Sequence, residues 1–345
     1  MKLTNIITGI LAAGVFSSAF FAQAQQGDPA TTLNAVIQAK NAKGMGQVRL
    51  VQPPTVAKGV LRLIPPGQGA DTTPRDMQTK DFKVFMILTP ADLVEARRTY
   101  AEGNLSTAKR QLAAVRAKYV DFAGLPDSPS VQAARMELPC LARLHDWAGL
   151  AKAVEAFPHP RLQESADRAT LEAARLLSQV SDDPATADAR MKAIDALLAD
   201  NGKMKHLHNT EFGWLKYAQG RALASGISTD KVPADKVEQA SKAVDAYCEA
   251  AVCYRGGEME IATDALRRAF HLLWAMPGVK EYGAAASKGM DAKAWNTAPA
   301  DFREAVALAN MLLTVIDPKI DDAAVKQAAG YFVNTLQGKR PAEQK

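Results

Sequence analysis

The succession of helix starts and stops after residue 89, with little but short turns between them, most narrows what this chain can fold into. Thr89-Pro90 reads as an N-cap followed by proline at the first helical position, with Asp92 in the first turn, and Gly103 is placed to end that helix in a left-handed conformation. A second helix is predicted from 104 to about 119. Asp183-Pro184 opens another that ends at Asn201-Gly202, with 161–180 as its hairpin partner. Residues 212–224, 234–254, 258–275, 300–316 and 320–336 read the same way, punctuated by Gly256-Gly257, Pro277-Gly278, Pro318 and Gly338. Helices joined by short turns predict an antiparallel array. Alanine dominates the apolar content and aromatics are only 6% of the chain, which suits closely packed helices.

The character before residue 89 is different. Segments 47–51, 59–64 and 82–88 are rich in β-branched and aromatic residues and are separated by Pro53-Pro54, Pro65-Pro66-Gly67 and a polar stretch over 69–79. They predict two or three strands docked on the helices, too few to form a stable domain alone. A short helix is expected over 31–42.

Met1-Lys2, an apolar run from Ile6 to Phe21 and then Ala22-Gln23-Ala24 match the charged, apolar and cleavage regions of an export signal, with cleavage before Gln25. A membrane anchor is the alternative, but the run is short for a span and small residues follow it directly. The expected organisation is a signal peptide over 1–24, a strand-containing region and linker over 25–88, a helical array over 89–338 and a polar tail over 339–345. About 320 residues then remain in an extracytoplasmic, periplasmic or secreted protein with no stable membrane insertion. The formal charge of +5 is scattered among acidic residues, which argues against a nucleic-acid partner. Cys248 and Cys253, five apart on one expected helix, are about 140° apart around it and about 7.5 Å along it, beyond disulfide reach. Any bridge would use Cys140, and buried thiols are the plainer reading.

Aligning the turns shows a recurring pattern. Gly103, Leu105, Ala108 and Leu112 stand at offsets zero, two, five and nine, and Gly257, Met259, Ala262 and Leu266 repeat them; His145, Trp147, Leu150 and Val154 are a weaker copy. A turn residue ends one helix, an apolar residue seats the next, and a small residue lets the two approach. The pattern resembles the tetratricopeptide repeat, most closely in Tyr100-Ala-Glu-Gly-Asn-Leu-Ser-Thr-Ala108. The departures are Glu95, Glu137 and Glu249 where that family usually has an apolar residue, the missing tryptophan early in the first helix, and Pro139 inside the second unit, where a kink is expected. The resemblance implies a mainly α fold, an irregular tetratricopeptide-like α-solenoid of antiparallel hairpins with a small N-terminal strand-containing region.

No catalytic motif of adequate specificity stands out, and no cofactor or metal is expected: there is no G-x-S-x-G, P-loop, H-E-x-x-H or C-x-x-C. His206-Leu-His208 is flanked by Lys203 and Lys205, which oppose a cation, so a solvated loop is the better reading. His145 beside Asp146 occupies a repeat turn rather than a general-base position. Asp182-Asp183 and Asp321-Asp322 read as helix caps. Trp147 fits a repeat core position, while Trp214, Trp274 and Trp295 could line a peptide or glycan groove. The function expected is a protein-interaction or assembly scaffold for a protein or peptide partner in the cell envelope. Partner binding is expected at Arg97, Arg98, Arg135, Arg143 and Arg255, on or beside the first helices of the hairpins. The alternative is a lyase or hydrolase acting on envelope polymer, which would need a pocket where acid, base and cationic groups converge.

Overall fold

Residues 32–39, expected to be helical, form a strand. The computed structural model describes residues 32–41, 43–51, 59–64, 74–125, 127–158, 165–253, 259–286 and 292–336, so the expected signal peptide and tail lie outside the described residues. Among the described residues five strands make one antiparallel sheet: β1 (Thr32–Ala39), β2 (Gly46–Val51), β3 (Val60–Ile64), β4 (Arg75–Gln78) and β5 (Phe82–Ile87), in the order β4-β3-β2-β1-β5. β1 is an inner strand, with Ala35 opposite both Val48 and Ile87. Its alternation places Leu33 and Ala35 on a buried face with Val48, Leu50, Leu61 and Leu63. Two pairing partners and that shared face outweigh the helix propensity of its alanines and glutamine.

The connection from β4 to β5 forces this sheet to curl. The two outer strands would stand about 19 Å apart in a flat sheet, at about 4.8 Å per strand. Only the 3-10 turn Thr79–Asp81 joins them, and three residues of 3-10 helix rise only about 6 Å. The turn is tied to inner strands at both ends: the Thr79 N–H donates to the Gly59 carbonyl (2.7 Å) and the Lys40 N–H to the Asp81 carbonyl (2.9 Å). The sheet is therefore rolled about its apolar side, with Leu50, Leu61 and Leu63 fully buried. Five rolled strands carry a core of their own, where two or three dependent strands were expected.

Beyond Ile87 the described residues contain helices and no strand, as the punctuation implied. The α-helices are α1 (Ala91–Ala101), α2 (Leu105–Lys118), α3 (Pro129–Arg143), α4 (Trp147–Glu155), α5 (Ser165–Ser178), α6 (Ala187–Ala199) and α7 (Asn201–Met204). They continue as α8 (Asn209–Leu223), α9 (Val237–Cys253), α10 (Met259–Trp274), α11 (Val279–Ala285), α12 (Ala292–Thr297), α13 (Ala300–Met311) and α14 (Ala323–Leu336). α3 runs on through Pro139. The helix expected to reach Asn201-Gly202 stops at Ala199, because the Asp200 carboxylate accepts from the Gly202 and Lys203 N–H groups and caps a new turn of helix.

The chain divides into two compact units, taken separately here. One holds the described residues up to Met136, with Pro158; the other holds Glu137–Phe157 and the described residues from 165 to 336. In the first, α1 packs on α2 across Gly103, whose φ of +79° and open surroundings show that conformation rather than space requires glycine. Leu105, Ala108 and Leu112 are buried behind it. In the second, α4 packs on α5, α8 on α5, α6 and α9, α9 on α10, α10 on α13, and α13 on α14. Ala262 and Leu266 of α10 are buried, Met259 is exposed, and Gly257 lies outside the described residues. Ala108 is 0% and Ala262 3% exposed, so Ala108→Leu and Ala262→Leu should each lower the urea midpoint by the equivalent of about 1 to 3 kcal/mol. Unchanged midpoints for both would show that neither helix crossing is close.

Candidate functional site

Asp264, Arg267, Arg268 and His271 recur along α10 at intervals of three, one and three residues, which gathers them on one side of a helix. Beyond its first residues, α10 is otherwise largely apolar and buried, including Ile261, Ala265, Phe270 and Leu272. On α8, Tyr217 and Arg221 are four residues apart and also share a face. Between them Gly220 allows the aromatic ring of Tyr247 on α9 to lie against the α8 backbone: a Cβ there would stand 2.7 Å from the ring.

These side chains form one hydrogen-bonded network. The Tyr217 hydroxyl donates to Asp264 Oδ2 at 2.6 Å, and Arg268 Nε donates to the same oxygen at 2.6 Å. Arg221 donates to the Tyr217 hydroxyl at 3.2 Å and, through Nε and Nη2, to Asp182 Oδ1 at 3.1 and 2.7 Å. Arg267 approaches Asp264 Oδ1 at 3.6 Å. Burial and the nearby Asp264 charge push the Tyr217 hydroxyl up to about 12, so it remains a donor at any physiological pH. Burial works against the charge of Asp264, but Arg268 and the Tyr217 hydrogen bond outweigh it and hold this carboxyl below its ordinary range.

Beside the network lies a cavity of about 340 Å³, lined by Tyr247, Arg267, Arg268, His271, Leu272, Asp182 and the turn over 224–229. That is the lower end of the range for ligand sites. Its polar wall is incompletely paired. The Tyr247 side chain is fully buried and its hydroxyl has no hydrogen-bond partner among the described residues. Among the described residues Arg268 makes no hydrogen bond beyond the one from Nε. His271 is oriented from behind: Nε2 lies 2.7 Å from Asp322 Oδ2, while Asp322 Oδ1 accepts from the N–H groups of Ala324 and Val325. An imidazole held by a carboxylate, two arginines and a phenol in one cavity can bind an oxyanion and can move a proton.

Comparison with protein-family models, curated proteins and solved structures found no match to this chain. The geometry of the site therefore carries the functional argument.

The arginines singled out from the sequence lie elsewhere. In the first unit Arg97 donates to the Gln132 side-chain carbonyl, Arg98 pairs with Glu95 at 2.7 Å and Glu102 at 3.8 Å, and Arg135 is exposed on α3. In the second, Arg143 is held by both carboxylate oxygens of Glu260 at 2.9 Å, and Arg255 lies outside the described residues. Glu95 is half-buried, Glu137 buried, and Glu249 exposed and paired with Lys216 at 2.6 Å, so the recurring glutamates occupy three different environments.

His145 sits at the turn before α4 with φ of +53°, its ring stacked on Trp147 at 5.2 Å and its Nε2 buried without a partner. Burial lowers its pKa, so it is neutral there. Asp146 caps α4 through the Gly149 N–H at 2.8 Å. Asp183 caps the next turn as expected, whereas Asp182 pairs with Arg221. Trp214 is buried in the core and Trp274 stacks on Phe270, so neither lines a groove. His208 forms a capping box with Glu211 at the start of α8. Among the described residues no group of three His, Cys, Asp or Glu side chains is placed to hold a metal ion. None of the three cysteines forms a disulfide, and no described helix is long and apolar enough to cross a membrane.

Proposed function

We propose that this chain is an exported interaction module, built on tetratricopeptide-like hairpins in an irregular solenoid, that captures an acidic partner in the cell envelope. The cavity beside α10 is its recognition centre. The observation that supports this reading is the composition of the cavity wall: Arg267 and Arg268 line it, Arg221 stands in the adjoining network, and the carboxylates of Asp264 and Asp322 are already engaged by Arg268, Tyr217 and His271. Guanidinium groups with free hydrogen-bonding capacity beside a buried hydroxyl favour an anionic group over an apolar one. The test is capture from native envelope extract by the immobilised chain, comparing the unaltered protein with Arg267→Glu and with a triple reversal at Arg97, Arg98 and Arg135. Arg267 is half-exposed at the cavity rim, so its reversal should abolish capture and leave the melting temperature within about 2 °C. Capture lost only in the triple variant would move the partner surface to α1 and α3 and refute the cavity as its centre.

A second reading, an enzyme that cleaves an acidic envelope polymer, is favoured by one arrangement: His271 is oriented by Asp322 within the same wall as Tyr247 and Arg268. Turnover of acidic polysaccharide with formation of new chain ends, lost in His271→Phe, would establish it over simple capture.

A further inference from the structure

The cavity wall carries three features that together narrow its ligand, given the reading above that the cavity is a recognition centre. The first is a planar fork of fixed orientation. Arg268 is held through Nε by Asp264 and makes no other hydrogen bond among the described residues, so its two terminal amino groups remain to meet a planar carboxylate end-on. The second is the Tyr247 hydroxyl, buried in the wall with its own hydrogen-bonding capacity unused. Such a group costs free energy in the empty protein and is satisfied when a ligand oxygen arrives. The third is an acceptor. Asp322 is a carboxylate that can only accept, so the 2.7 Å contact requires His271 Nε2 to be the donor. In the neutral imidazole that leaves Nδ1 with a lone pair.

A site that offered only arginines would suit any anion. This one adds an acceptor and an ambivalent hydroxyl, which a phosphate or an isolated carboxylate does not use. A ligand hydroxyl uses both, accepting from Tyr247 and donating to His271. We propose that the cavity binds a sugar acid: a ring-sized ligand with one carboxylate on Arg268 and a neighbouring hydroxyl between Tyr247 and His271. The volume of about 340 Å³ accommodates one such residue rather than a long segment.

The test uses the full chain at neutral pH and ligand-detected NMR titrations with glucuronate, cyclohexanecarboxylate, glucose, inorganic phosphate and an N-acetylated triglutamate peptide. Glucuronate is expected to bind at least about tenfold more tightly than each of the other four, because a site built around hydrogen bonds rejects a ligand that leaves them unmade. Arg268→Lys should weaken glucuronate by at least about tenfold, since the ammonium cannot reproduce the fork. His271→Phe should erase the preference for glucuronate over cyclohexanecarboxylate. The ligand series on the unaltered chain decides the matter even if a variant fails to fold. Phosphate or cyclohexanecarboxylate binding as tightly as glucuronate would overturn the proposal, as would a preference that survives His271→Phe. Tighter binding of the peptide, lost in Arg268→Lys, would overturn it while leaving capture of an acidic partner intact. Failure of every acid to bind would overturn both.

Discussion

Asp264→Ala is expected to destabilise the helical unit by about 3 kcal/mol, the largest effect of any single substitution in the network. Asp264 accepts from the Tyr217 hydroxyl and Arg268 Nε, both at 2.6 Å, and its own side chain is 11% exposed. Removing it leaves the proton of a fully buried hydroxyl without an acceptor and takes away the carboxylate that offsets the repulsion between Arg268 and Arg221. The pH dependence has a definite sign. The folded-state pKa of Asp264 lies below its unfolded value, despite burial, because Arg268 and Tyr217 stabilise the charge. Its contribution is therefore fully present above the unfolded pKa of about 4 and is lost as pH falls through the lower, folded value. Urea denaturation of the two proteins should show the full difference at pH 7 and a shrinking one below about pH 4. A constant difference across that range would mean that packing alone is lost.

Gly220→Ala is expected to cost about 2 kcal/mol, although alanine ordinarily strengthens a helix interior by nearly 1 kcal/mol. The sign reverses because the new methyl would lie 2.7 Å from Tyr247 Cδ1 and Cε1 and 3.0 Å from Cγ, near the root of the side chain rather than its tip. Tyr247 is 0% exposed, and Tyr217 packs 6.1 Å away, which limits how far the ring can shift to make room. The double variant Gly220→Ala with Tyr247→Leu should recover part of the loss. A Gly220→Ala protein that melts at or above the parent temperature would show that the two helices can separate without penalty.

What the sequence revealed and what it withheld follow from the range of the forces involved. The helices after residue 89 were legible because capping groups, prolines and glycines act within one turn of the residue that carries them. Gly103 is such a case, and its positive φ is what a helix-ending glycine requires. β1 was misread because Leu33 and Ala35 give only a short alternation and its outer partner, Ile87, is remote in sequence. The polar network was missed for the same reason: Arg221 meets Asp182, Tyr217 meets Asp264, and His271 meets Asp322 across 39, 47 and 51 residues. One signal was available. Asp264, Arg267, Arg268 and His271 form a polar stripe along a helix otherwise spent on the core, which a search confined to named motifs passes over.

The rolled sheet also bears on the order in which the molecule assembles. Its inner strand β1 takes one partner from the next strand and the other from β5, so Ala35 must wait for Ile87. Most of the helix pairs in the other unit are nearer neighbours along the chain, such as α9 with α10 and α13 with α14. Loop closure becomes more expensive, and folding slower, as the paired residues grow more distant in sequence. The sheet, although it comes first in the sequence, thus cannot close until β5 is in place, and until then one side of β1 is an unpaired edge open to association with another chain.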